Sequence, residues 1–145
     1  MKLLLLSVII CFACNVHAQF NRDTVRDSIM KTDCDGIIFT KMENRPSVRN
    51  GIEGLADSIA FYLKKKSVFT FSYNGQVKFV LTSKLKIVNF QIVSGDISDK
   101  GKNIKAALEK YAAMWNPAIQ NSHIVCAYVI LNIVKDDNGL HLSIE

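Results

Sequence analysis

The 145-residue chain carries 18 Lys and Arg against 13 Asp and Glu, a formal charge of +5 at pH 7 with His neutral. That excess is too small and too scattered to point to nucleic acid, whose binders concentrate basic residues on one face. The longest early apolar run covers about a dozen residues, whereas a bilayer-crossing helix needs roughly 20, so a retained membrane span is not expected.

The first eighteen residues read as a secretion leader. Lys2 precedes the apolar run over residues 3–13, and Val16-His17-Ala18 ahead of Gln19 places small side chains where a signal peptidase reads them. Cleavage after Ala18 leaves residues 19–145, a size suited to one domain, and the periplasm is the expected compartment. Cys14 after Ala13 also has the form of a lipoprotein box, although Cys11 stands where that box wants an aliphatic residue. A lipid anchor at Cys14 and full secretion stay as alternatives. Cys11 and Cys14 leave with the leader, while Cys34 and Cys126 remain in a compartment that permits disulfides. A Cys34–Cys126 bridge and two separately buried thiols are both open.

Residues 19–36 form a polar lead-in with isolated apolar side chains, and residues 37–145 hold the periodic elements. Ile52, Leu55, Ile59 and Leu63 recur at spacings of three and four, which predicts a helix. Asn50 and Glu53 form its candidate capping box, and Lys64, Lys65 and Lys66 close its carbonyl end. Residues 68–73 and 76–81 read as two strands joined by an Asn74-Gly75 hairpin turn. A turn near residues 82–84 leads to a half-buried strand in which Val88, Phe90 and Ile92 alternate with polar residues. A second helix is predicted over residues 99–115, with Ile104, Leu108, Tyr111 and Trp115 on one stripe and Pro117 as the stop. Residues 124–134 read as the longest strand, and Asp137-Asn138-Gly139 turns the chain into a terminal strand over 140–144. The expected class is α+β, with two helices packed on a small antiparallel sheet of about three or four strands.

The catalytic inventory is thin. His123 and His141 stand alone at no metal-ligand spacing, and Cys126 lies in an apolar strand where thiols are normally inert. The carboxylate pairs Asp96/Asp99 and Asp136/Asp137 flank turns, where their oxygens cap backbone donors. Gly51-Ile52-Glu53-Gly54 lacks the preceding strand that a phosphate loop requires. These residues point to a protein that is not an enzyme and carries no cofactor or metal.

The order helix, two strands, helix, long strand, with particular residues at its joints, resembles the C-terminal domain of the TonB family, especially its Bacteroidetes versions. Pro46-Ser47-Val48 and Gly51 ahead of Leu55 are similar to the family's lead into its first helix. Gly75-Gln76-Val77-Lys78-Phe79 is similar to the opening of its first sheet strand, and Val93-Ser94-Gly95 to the end of the second. Trp115-Asn116-Pro117-Ala118 matches the Trp-x-Pro-Ala after the second helix, and residues 125–133 the last strand. The Tyr-Pro pair usual after the first helix is absent, as are a retained N-terminal membrane helix and a Pro-rich span.

The departures lead to the expectation of a stand-alone domain, and the resemblance implies that it binds an extended peptide by strand addition. The implied partner is a TonB-box-like segment of an outer-membrane receptor in TonB-dependent transport, docked along the backbone edge of Val125, Ala127, Val129, Leu131 and Ile133. It equally permits a homodimer, in which the same edge serves assembly with no energy-transducing role.

Overall fold

The computed structural model describes Asp33, Cys34, residues 36–67 and residues 72–145. The expected leader and most of the expected lead-in lie outside the described residues. The chain divides into two compact units, Met1–Gly36 and Ile37–Glu145. Within the first, Cys34 is buried.

The second unit is α+β. Its elements are β1 (Ser47–Val48), α1 (Gly51–Lys65), β2 (Tyr73–Leu81), β3 (Ile87–Gly95), α2 (Gly101–Lys110), a 3-10 turn (Ala112–Met114), β4 (Trp115–Asn116), β5 (Ala118–Gln120), β6 (His123–Val125), β7 (Ala127–Asp136) and β8 (Gly139–Ile144). Four strands make the main sheet in the order β3-β2-β7-β8, every neighbour antiparallel. β1 with β4, and β5 with β6, form two-stranded ribbons beside it.

The period of two along each strand decides which side of the sheet is covered. Val77 and Phe79 of β2 oppose Leu131 and Val129 of β7, while Leu142 of β8 opposes Ile133. These apolar side chains share one core with Leu55, Ile59 and Leu63 of α1 and with Ile104 and Leu108 of α2. The opposite face carries Gln76, Lys78, Tyr128, Ile130 and Asn132, all partly exposed.

The structure corrects four local expectations. Asn74-Gly75 is not a turn, because both residues lie inside β2, where Gly75 pairs with Ile133 on one side and Gly95 on the other. The glycine serves close approach: a Cβ on Gly75 would stand 2.6 Å from the Ile97 side chain and 2.8 Å from the Ser94 carbonyl oxygen. The hairpin turn comes later, where Thr82 N–H donates to the Lys86 carbonyl and Lys86 N–H to the Thr82 hydroxyl. Of the strand expected before Asn74, residues 68–71 lie outside the described residues.

The second helix ends at Lys110, so Trp115 is not on its stripe. Trp115 is extended (φ −82°, ψ 147°) and pairs with Val48, which turns its ring into the core. The apolar run 124–134 is broken at Cys126 into β6 and β7. Asn50 occupies the position before α1 without a capping bond; its φ of −107° and ψ of 25° are not the extended geometry that aims a side chain at the first free N–H groups.

Gly95 closes β3 at φ +93°, and a Cβ there would lie 2.3 Å from the Gly75 Cα and 2.4 Å from the Asn74 carbonyl oxygen. Backbone cannot yield as a flexible side chain can. Gly95→Ala is therefore expected to destabilise the domain by at least about 2 kcal/mol, from the left-handed conformation and the clash together. Thermal denaturation of the variant checks this as a fall in Tm.

Candidate functional site

Most of the strand expected to offer a docking edge is central in the sheet. Val125 lies in β6; Ala127, Val129, Leu131 and Ile133 lie in β7, their side chains buried in the interior. β7 pairs with β2 from Ala127 to Lys135 and with β8 from Leu131 to Asp136, so most of it is a central strand with no edge to offer. The cause is the Asp137-Asn138-Gly139 turn, which folds the last strand back against β7.

Among the described residues, two strands keep an open side in the main sheet, β3 and β8. β3 is poorly suited to receiving another strand: its pairing with β2 shifts register twice, and Asn89 sits at φ +54°. Bulges of this kind twist an edge out of line with an incoming backbone. β8 pairs with β7 in unbroken register from Gly139 to Ile144. Glu145 N–H donates to the Ile130 carbonyl, and antiparallel pairs alternate in the direction of their polar groups. Leu140, Leu142 and Ile144 therefore turn their backbone N–H and C=O away from β7.

Beside that edge lies a groove of about 430 Å³ between α1 and β8. Its apolar lining comes from Ile52 and Ala56 of α1 and from Leu140 and Leu142 of β8. Glu53 and Asp57 stand on its helix side, one turn apart and both exposed, with no ion-pair partner among the described residues. The arrangement offers an extended segment a row of backbone partners, apolar contact and two negative charges. None of these residues was singled out for binding in the sequence. The signal was nevertheless present, because a tight Asp-Asn-Gly turn forces hairpin pairing and moves the edge one strand outward.

Asp136 holds that hairpin together. Its Oδ1 accepts from the N–H of Asn138 at 2.8 Å and of Gly139 at 3.1 Å, and lies 3.4 Å from His141 Nε2. Desolvation pushes its pKa up, but these two backbone bonds and the nearby His141 charge outweigh it and leave the carboxyl below its ordinary value. A depressed folded pKa gives stability that is complete above the unfolded value of about 3.9 and is lost as pH falls through the folded one. The Asn138 and Gly139 amide resonances should accordingly report a titration midpoint below that of an Asp in a short peptide. Asp136→Asn should abolish that step.

Cys34 and Cys126 are each disulfide-bonded, so neither presents a thiolate. Among the described residues no group of three His, Cys, Asp or Glu is placed to hold a metal ion, and no helix is long and apolar enough to cross a membrane. No protein-family model matches the chain, and no curated protein or solved structure matches it.

Proposed function

We propose that residues 37–145 form a non-enzymatic, TonB-C-terminal-like binding domain that recognises an extended peptide by strand addition in the cell envelope. The observation that carries this reading is the open, unbulged β8 edge beside the α1 groove. Backbone bonds from Leu140, Leu142 and Ile144 supply affinity, and alternate side chains of the incoming strand enter the groove and set preference. Glu53 and Asp57 favour lysine or arginine in those side chains. The resemblance to the TonB family makes a TonB-box-like segment of an outer-membrane receptor the first partner class to test, at β8 rather than at the strand the family would use.

Selection of randomised extended peptides on residues 19–145 tests the reading. Enrichment of basic residues at alternate positions is the expected result; no enrichment over an unfolded control contradicts it. A homodimer built on β3 is the competing reading, favoured by Ile92 and Val93, which are 37% and 51% exposed. Sedimentation at micromolar concentration separates the two, with a monomer expected.

A further inference from the structure

A second cavity lies at the start of β7, beyond the end of β8, and the proposed peptide site does not use it. β8 ends opposite Leu131, so the beginning of β7 extends past it. Tyr128 N–H donates to the Phe39 carbonyl at one end of this stretch, and the Ile130 carbonyl accepts from Glu145 N–H at the other. Between these two contacts the chain around residues 40–46 arches beside the sheet and leaves a cavity of about 400 Å³. That volume falls in the roughly 300–1,000 Å³ range of small-molecule sites.

The lining combines apolar surface with unpaired positive charge. Met42, Tyr128, Ile130 and Ile144 contribute the apolar part, and Arg45 and Lys78 the cations. Lys78 is half-buried, and its ammonium sits 4.3 Å from the centre of the Tyr128 ring. Neither Lys78 nor Arg45 has an ion-pair partner among the described residues. Glu145 also lines the cavity with one negative charge against these two cations; its carboxylate is held by a hydrogen bond from Gln76 at 3.0 Å, and Gln76 in turn donates to Asn132 at 2.9 Å.

A partly desolvated cation held over an aromatic ring beside an apolar floor is complemented by an anion that carries its own apolar body. Because Phe39 and Glu145 close both ends of the exposed β7 stretch, an extended peptide does not fit; a compact ligand does. We infer that this cavity binds a small amphipathic carboxylate, with the head group between Lys78 and Arg45 and the tail against Tyr128, Ile130 and Met42.

The test is a methyl and amide NMR titration of the chain with three probes built on eight-carbon chains: octanoate, octanol and octyltrimethylammonium. Octanoate should give saturable shifts at Met42 and Ile130 and bind at least about 10-fold tighter than either other probe, the scale of one charge-assisted contact. Lys78→Gln with Arg45→Gln should erase its advantage over octanol. Equal binding of octanoate and octanol to the unaltered chain overturns the proposal, as does an octanoate response confined to the Leu140 and Leu142 groove. The comparison of probes on the unaltered chain decides the matter even where the double variant folds poorly.

Discussion

Replacing Trp115 with alanine is expected to remove about 3–5 kcal/mol of stability, the usual cost of truncating a fully buried aromatic ring. Trp115 is wholly buried, and its ring meets Phe79 edge-on at 5.7 Å between centroids. Phe79 lies on the central strand pair, opposite Val129, so the cavity left by alanine would open in the middle of the core. Against a total of about 5–15 kcal/mol for a small domain, that loss is a large share of the whole. Trp115→Phe should cost far less, because it keeps an aromatic ring and removes an indole N–H that is buried without a hydrogen-bond partner among the described residues. Urea denaturation followed by circular dichroism measures both variants; fluorescence would not serve, since Trp115 is the only tryptophan of the chain.

The second large effect concerns recognition. Glu53→Lys with Asp57→Lys should weaken a selected basic peptide about 10- to 100-fold while leaving the unfolding midpoint close to that of the parent. The two residues are exposed, so their removal disturbs no packing. Reversing them replaces two attractions of a few tenths of a kcal/mol each with like-charge repulsion, which is the costlier part. Binding measured at rising ionic strength should fall for the parent domain, as its attraction is screened, and rise for the variant, as its repulsion is screened.

The elements governed by local pattern were the legible ones. Leu55, Ile59 and Leu63 repeat at helical spacing and do line the buried face of α1, and the Asp-Asn-Gly turn does end β7. Asn74-Gly75 misled because a hairpin dipeptide is a short-range signal, whereas the need for Gly75 comes from Gly95 and Ile97, twenty and more residues away. Trp115 misled because an apolar residue continuing a helical stripe can reach the core equally well from an extended strand, as pairing with Val48 shows. The strand expected to offer an edge is mostly central for a related reason. Residues 124–134 read as one strand, of which 127–134 do fall in β7, but being an edge is a property of neighbours, and the neighbour here is the six-residue β8.

The central claim is that β8 receives another strand, and amide hydrogen exchange of residues 19–145 with and without a selected peptide addresses it most directly. The account predicts slowed exchange at Leu140, Leu142 and Ile144, whose N–H groups face away from β7, with no change along β3. Protection that appears on β3, or no protection at β8 under saturating peptide, would contradict it.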